Sequence, residues 1–216
     1  GKLLRGRMKL KSAIFLFLGK CAEGIKRLAK FFYRHIVKNP IQSMLLLGIG
    51  VCLCWIYGRQ IILVYGYRAS DIPVHMSWIN EMSRGKIFAK GVYPFGFHCM
   101  IYYLHAVFRF DTYVILCQFF FAQVIFMHLV LLAMLKQLCK TKYIPYIGTF
   151  VFLLGNFWSG QTYSRFYATL PQEFGMIFVI PSIYFLIRFF QIPKQKLADK
   201  ETRLTLQCFA MAFSLT

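Results

Sequence analysis

The chain has 216 residues, of which 58% are hydrophobic, 19% aromatic and only 15% charged. A soluble domain of that composition would expose more apolar surface than its polar residues could cover, so the composition predicts an integral membrane protein. The formal net charge of +19 sits at the N-terminus and in short segments between apolar stretches, which argues against nucleic acid as a partner and favours membrane lipids. The spacing of the seven cysteines predicts neither a disulfide framework nor a metal site.

Residues 1–40 form a basic N-terminal segment that carries eleven Lys and Arg before Asn39. From Lys9 to Lys38, apolar residues recur every three or four positions opposite a basic face, which predicts an amphipathic helix lying in the inner headgroup layer. The alternative is a positively charged leader whose only role is to set the orientation of the chain. The pair Asn39-Pro40 predicts a break before the next helix.

The segment from Ser43 to Tyr65 is long enough, at about 1.5 Å per residue, to cross a hydrocarbon core of about 30 Å. Basic residues are dense before it and sparse in the loop that follows it. By the positive-inside rule, the N-terminus is therefore cytoplasmic and the loop that contains Asp71 faces outward.

Residues 41–216 are predicted to form an all-α, polytopic transmembrane domain of about five membrane helices. The longer later segments are Tyr113 to Leu135, Tyr143 to Trp158 and Phe174 to Phe190. Because the run from Leu204 to Leu215 is typical of the opening of a further helix, we expect the C-terminal part of the domain to be missing.

The apolar run from Phe97 to Phe110 is short for a membrane span and leaves two topologies open. If it does not cross, the later basic turns fall inside, and residues 159–173 face outward together with Asp71. If it does cross, the turn from Lys136 to Lys142 falls outside, against the positive-inside rule. We favour the topology in which it does not cross.

The outer loops of that topology collect acidic, basic and aromatic side chains in one compartment. Ser70-Asp71 followed by Pro73 predicts a helix start, which would place Asp71, His75 and Trp78 on one helix face. Asp71 could equally be a solvated cap, and Glu173 could serve only to begin a helix. The candidate site residues are Asp71, His75, Arg84, Lys86, Tyr93, His98, Arg165 and Glu173.

Between Ser43 and Phe190 the chain resembles the N-terminal portion of the GT-C superfamily of membrane glycosyltransferases. The resemblance rests on Asp71-Ile72-Pro73-Val74-His75, on Gly91-Val92-Tyr93-Pro94-Phe95-Gly96-Phe97-His98, and on Arg165 and Leu170-Pro171-Gln172-Glu173. It implies a GT-C-like helical bundle with a juxtamembrane first outer loop. It also implies transfer of a sugar from a polyprenyl-phosphate donor to an acceptor on the extracytoplasmic side, with Asp71 as the catalytic carboxylate. The usual adjacent acidic pair is absent, since Ile72 follows Asp71, and this leaves the cofactor unknown, with a divalent metal ion as one option.

The chemistry of such a transfer assigns roles to the candidate residues. A carboxylate can take the proton of the acceptor hydroxyl, which is the role expected for Asp71. A cation must stabilise the departing lipid phosphate, and Arg165 is the first choice, followed by Arg84 and Lys86. The remaining candidates, His75, Tyr93, His98 and Glu173, complete the expected substrate-binding set, although each histidine could instead be a hydrogen-bonded interfacial residue.

Two other classes of function remain open. The same charges could line the passage of a transporter or flippase, although the ionisable residues crowd one outer loop instead of the bilayer midplane. A non-catalytic assembly subunit for lipid-linked envelope polysaccharide is the third possibility. The lack of a eukaryotic targeting signal favours a bacterial plasma membrane over the endoplasmic reticulum.

Overall fold

The structure is a computed structural model in which each described helix can be related to its sequence. It describes residues 22–24, 26–27, 29–30, 33–34, 36–64, 66–67, 69–86, 95–158, 165–193 and 199–214. Within these ranges the regular structure is helical and no strand occurs, which confirms the predicted all-α class. The chain divides into two units, residues 1–48 and 49–216.

The described residues between 22 and 38 are helical and exposed, and Asn39 interrupts the helix as predicted. Most apolar positions of the predicted amphipathic face lie outside the described residues, so that face stays a prediction. These positions are Ile14, Leu18, Cys21, Ile25, Leu28 and Phe32.

Helix α1 (Pro40–Leu63) follows, and its 24 residues are long and apolar enough to cross a membrane. It matches the predicted span from Ser43, while Tyr65 lies outside the described residues. A π-helical turn, Cys54–Gly58, interrupts its α-helical hydrogen bonding. Such turns are rare and widen the helix locally.

Six further helices are described after α1. They are α2 (Ile72–Ser83), α3 (Phe95–Phe108), α4 (Thr112–Leu138), α5 (Ile144–Trp158), α6 (Pro171–Phe190) and α7 (Lys200–Ser214). Of the helices described, α1, α4 and α6 have the length and apolar composition of a membrane span, while α3 and α5 are apolar but shorter. The chain is therefore a membrane protein with three candidate spans among its described residues, against about five predicted.

Helix α7 begins at Lys200, before the predicted start at Leu204, and includes the charged residues Glu201 and Arg203. Its 15 residues reach only about 22 Å, less than the hydrocarbon thickness. It begins beside the C-terminal end of α6, where Arg188 and Glu201 form an ion pair.

Helices α4 and α6 run parallel to each other. About a third of the way along α4 and just before α6 begins, the Thr169 hydroxyl accepts a hydrogen bond from the Phe120 amide at 2.9 Å. The Gln123 side-chain amide donates to the Leu170 carbonyl at 3.0 Å. At the far end, the C-terminal residues of both helices line one cavity.

Helix α5 runs antiparallel to α4 between these two ends. Near the end of α4, a Leu135 methyl lies 3.0 Å from the position that a Cβ on Gly148 would occupy. Further back along α4, the His128 and Phe152 rings are 5.4 Å apart. A glycine at position 148 therefore lets the two helices approach closely.

The hydrophobic core lies where α2 and α3 pack against the beginnings of α4 and α6. Its buried members are Ile72, Ile79, Phe97, Ile101, Ile115, Leu116, Met127, Ala168, Leu170, Phe174 and Ile177. This core holds the start of α2, the start of α3 and the start of α6 at one end of the bundle. The candidate residues carried by those three starts are therefore brought into one region.

Candidate functional site

Asp71 occupies the N-cap position of α2, as the sequence predicts, but its carboxylate does not cap the helix. The backbone carbonyl of Asp71 accepts the amides of Val74 and His75, at 3.0 and 3.1 Å. Its side chain is exposed and accepts one hydrogen bond from the Ser70 hydroxyl, at 3.1 Å. A carboxylate that is not engaged by the helix amides keeps its lone pairs for a ligand.

One turn further along α2, His75 is buried and contacts a second buried histidine, His98 of α3. Their relative exposures are 3% and 1%, and His75 Nδ1 lies 3.0 Å from His98 Nε2. One of these nitrogens must donate and the other must accept, so the two rings cannot both be cationic in this arrangement. The pair therefore connects α2 to α3 while holding at most one extra proton.

Aromatic rings surround the histidine pair. The Trp78 ring lies 5.4 Å from the His75 ring and 5.4 Å from the His98 ring. The Phe97 ring packs edge-on against His98 at 5.4 Å. Trp78 thus packs against both histidines, on the helix face that it is predicted to share with His75.

Burial among these rings lowers the pKa of His75 below its usual value, and the nearby Asp71 carboxylate opposes that shift. Desolvation disfavours the charged imidazolium, whereas a neighbouring negative charge favours it. Because desolvation is the larger cause, His75 is held as a neutral ring at neutral pH.

Arg165 and Glu173 form an ion pair at the start of α6. Arg165 Nε lies 2.6 Å from Glu173 Oε1, and Arg165 Nη2 donates to the Gln172 side-chain oxygen. The Arg165 side chain is 52% exposed, while that of Glu173 is only 11% exposed. Glu173 therefore both begins the helix, where its negative charge is favoured, and orients a guanidinium that remains open to solvent.

An aromatic contact joins this ion pair to the histidine pair. The Phe97 and Phe174 rings are 5.9 Å apart. They are the sequence neighbours of His98 and Glu173, respectively. The starts of α2, α3 and α6 thus bring Asp71, both histidines, Arg165 and Glu173 to the same end of the bundle.

The other predicted cations lie elsewhere. Arg84 and Lys86 both pair with Glu81, at 2.9 and 3.0 Å, and lower the pKa of that carboxyl. They follow the C-terminal end of α2, about 20 Å along the helix axis from Asp71. The structure therefore groups them with Glu81 and not with Asp71. Tyr93 lies outside the described residues.

The described residues do not provide a metal centre with three protein ligands. No three side chains of His, Cys, Asp or Glu gather within them. The histidine pair supplies two nitrogens, whereas protein metal centres of the catalytic zinc type use three protein ligands.

Two features of the site are not predicted from the sequence. Gln172 belongs to the segment Leu170-Pro171-Gln172-Glu173 without a predicted role of its own, yet its side-chain oxygen accepts a hydrogen bond from Arg165. The aromatic link between α3 and α6 had no signal in the sequence either, because a contact between residues 77 positions apart depends on tertiary packing.

Comparison of the chain with models of protein families, with curated proteins and with solved structures finds no match. The function is therefore inferred from the chemistry of the site.

Proposed function

We propose that the protein is a membrane glycosyltransferase. It transfers a sugar from a polyprenyl-phosphate donor to a hydroxyl acceptor on the extracytoplasmic side, and Asp71 is its general base. The resemblance to the GT-C superfamily suggests the reaction. The arrangement of the candidate residues supplies the physical support.

The observation that carries the proposal is an exposed carboxylate and an exposed guanidinium at the same end of a membrane helix bundle. Asp71 offers lone pairs to an acceptor hydroxyl, and Arg165 offers N–H donors to a phosphate. Asp71 lies between the candidate span α1 and helix α2, and Arg165 lies shortly before the candidate span α6, where a lipid phosphate would be positioned by its anchor.

The proposed reaction is a single displacement at the anomeric carbon. The Asp71 carboxylate takes the proton of the acceptor hydroxyl as the acceptor oxygen bonds to that carbon. The bond between the anomeric carbon and the phosphate oxygen breaks, and its electron pair leaves on the lipid phosphate. Arg165, oriented by Glu173 and Gln172, stabilises the charge that develops there.

The His75–His98 pair has a positioning role in this proposal. It fixes α2 against α3 next to Asp71, and the neutral His75 ring places no full positive charge beside the base. A cation at that place would lower the basicity of the Asp71 carboxylate, because an opposite charge favours its ionised form.

The test is turnover of a panel of labelled polyprenyl-phosphate sugars by the protein in vesicles, comparing wild type with Asp71→Asn at equal expression. Asparagine keeps the shape of the side chain but cannot accept a proton, so we expect release of the carrier phosphate to fall by roughly 10²- to 10⁴-fold. Asn80→Ala, which removes an exposed polar side chain from the same helix, is the matched control and should retain turnover.

Each outcome has a distinct meaning. Equal release by Asp71→Asn and wild type would remove Asp71 as the base. No release with any donor, together with movement of a labelled lipid-linked sugar across the vesicle membrane, would replace the transferase by a transporter. An intact thermal unfolding transition in the variant is required before loss of turnover is assigned to chemistry.

A further inference from the structure

A cavity of about 560 Å³ lies at the end of the bundle opposite the candidate site. The C-terminal parts of α4 and α6 and the start of α7 form its walls. Its volume falls within the range of about 300–1,000 Å³ that is typical of small-molecule sites. None of the candidate site residues that the structure describes lines it, so the cavity is separate from the site of the proposed transferase reaction.

The lining of the cavity changes from apolar to polar along α6. Ile180, Ile183 and Ile187 line it first, and Arg188 and Gln191 follow at the helix end. Because the 20 residues of α6 span about 30 Å, the last turn of a helix that crosses the bilayer lies at the level of the lipid headgroups. Ile180 precedes Arg188 by eight residues and therefore lies about 12 Å deeper in the bilayer, among the acyl chains. The cavity wall is therefore apolar where the acyl chains of a phospholipid would lie and polar where its headgroup would lie.

Of the described residues, one cation and two carboxylates line the polar end of the cavity: Arg188, Asp199 and Glu201. Arg188 Nη2 lies 3.4 Å from Glu201 Oε1, which is longer than the usual 2.7–2.9 Å of a charge-assisted hydrogen bond. The Arg188 side chain is 47% exposed and that of Glu201 is 74% exposed. These charged groups are therefore open to a further ligand.

We propose that this cavity binds a phospholipid whose headgroup carries both a phosphate and a primary ammonium, such as a phosphatidylethanolamine. The phosphate binds Arg188, and the ammonium donates hydrogen bonds to Asp199 and Glu201. A purely anionic headgroup would satisfy the guanidinium but would face both carboxylates. A choline headgroup carries the same charges but has no N–H to donate.

Binding is measured on the purified, delipidated full chain by native mass spectrometry. The chain is titrated with phosphatidylethanolamine, phosphatidylcholine or phosphatidylglycerol of identical acyl chains. We expect phosphatidylethanolamine to bind roughly tenfold more tightly than the other two lipids, since it alone forms the charge-assisted hydrogen bonds to the carboxylates. Equal binding of the three lipids, or no retained lipid, would overturn the proposal.

Substitutions in the cavity wall test whether the preference for phosphatidylethanolamine arises at this cavity. The double variant Asp199→Ala with Glu201→Ala, which removes both acceptors of the ammonium, should bind the ethanolamine and choline lipids equally, while Arg188→Gln should weaken both. Arg203→Gln, which removes an exposed cation of α7 outside the cavity, is the matched control and should leave the preference unchanged. A double variant that unfolds at the wild-type temperature and keeps the ethanolamine preference would also overturn the proposal.

Discussion

At the residue scale, one helical turn separates two ionisable groups with opposite environments. Asp71 is exposed at the start of α2, whereas His75 is buried one turn later against His98. Spacing by four residues places both on one side of the helix. The packing of α3 then decides which of them remains in water. The exposure of the candidate base and the burial of His75 thus follow from their positions on one turn of α2 and from the packing of α3 against that turn.

The lowered pKa of His75 predicts an acid-sensitive fold. In the unfolded chain, His75 gains its proton near pH 6.5, whereas in the folded protein it resists protonation to a lower pH. The unfolded state therefore binds more protons below about pH 6.5, so the stabilisation is present above that pH and is lost as the pH falls. Thermal unfolding in detergent should show the melting temperature falling between about pH 7 and pH 5.

The variant His75→Gln tests whether His75 causes the fall of the melting temperature at acidic pH. Glutamine can hydrogen-bond to His98 but cannot take up a proton, so the decline in melting temperature should become shallower. Among the described residues, His98 across the contact and Asp71 on the same helix are titratable groups that bear on His75. A decline of the same size in the variant would assign the acid sensitivity to other groups.

Arg165 supports a second prediction at this scale. Its guanidinium contacts Glu173 and Gln172 at two different nitrogens, an arrangement that a lysine ammonium does not reproduce. In the proposed reaction, Arg165→Ala should lower kcat/KM by roughly 10²-fold, and Arg165→Lys should recover only part of that loss. Arg203→Ala is the control for a simple loss of positive charge. Full activity of Arg165→Ala in the vesicle assay would exclude Arg165 from the phosphate site.

At the element scale, the π-helical turn of α1 is held by the segment that precedes α6. The Tyr167 hydroxyl donates to the Ile56 carbonyl at 3.0 Å, and the Tyr57 and Tyr167 rings are 5.1 Å apart. The Phe121 ring lies 3.4 Å from the position that a Cβ on Gly58 would occupy. The widened turn is therefore the place where α1 meets both α4 and the approach to the candidate site.

Removal of the Tyr167 hydroxyl should weaken this junction. Tyr167→Phe keeps the ring but removes the donor to the buried carbonyl, which should cost about 1–3 kcal/mol. Thermal or denaturant unfolding in detergent measures the loss. Tyr143→Phe removes an exposed hydroxyl before α5 and should leave stability unchanged. Equal stability of the two variants would show that the hydrogen bond to Ile56 is not stabilising.

Arg59 and His128 each contact a residue one turn earlier on their own helix. The sequence suggests no partner for Arg59, but its guanidinium lies 5.4 Å from the centre of the Trp55 ring, one turn earlier on α1. Because His128 and Gln123 are polar residues within an apolar helix, the sequence predicts that both make interhelical hydrogen bonds. The prediction is wrong for the bond of His128 in the structure, since its Nδ1 bonds to the Val124 carbonyl of its own helix at 2.7 Å. The corresponding prediction for Gln123 is confirmed through Leu170, at the start of α6.

At the scale of the whole molecule, the directions of the helices bear on the two topologies left open by the sequence. The last third of α1 contacts the first third of α4, and the start of α6 lies at the same level. The chain between α1 and α4, which includes α2 and α3, therefore begins and ends at one end of the bundle. This is the arrangement expected if the segment from Phe97 to Phe110 does not cross the membrane.

Cysteine labelling tests that topology directly. In a cysteine-free background, Ser70→Cys and Phe110→Cys should be modified by a membrane-impermeant maleimide from the same side of sealed vesicles. Lys140→Cys, between α4 and α5, should be modified only from the other side. All three positions are exposed, so their reactivity reports the side and not burial. Modification of positions 70 and 110 from opposite sides would show that α3 crosses.

The sequence by itself determined the features that depend on local order. Apolar run length placed the long helices, and the run Ser70-Asp71 with Pro73 placed the start of α2, because helix starts and membrane spans depend on neighbouring residues. The sequence also predicts that certain residues share one helix face, such as Asp71 and His75, because this depends only on their spacing along the chain.

Only the tertiary structure decided which of the candidate residues meet. The contact of His75 with His98, the separation of Arg84 and Lys86 from Asp71, and the cavity beside Arg188 all depend on how distant helices pack. No local pattern encodes those distances, because each is set by side-chain packing between segments far apart in the chain. The sequence thus supplied the chemical groups, and the packing of α2, α3 and α6 placed them together.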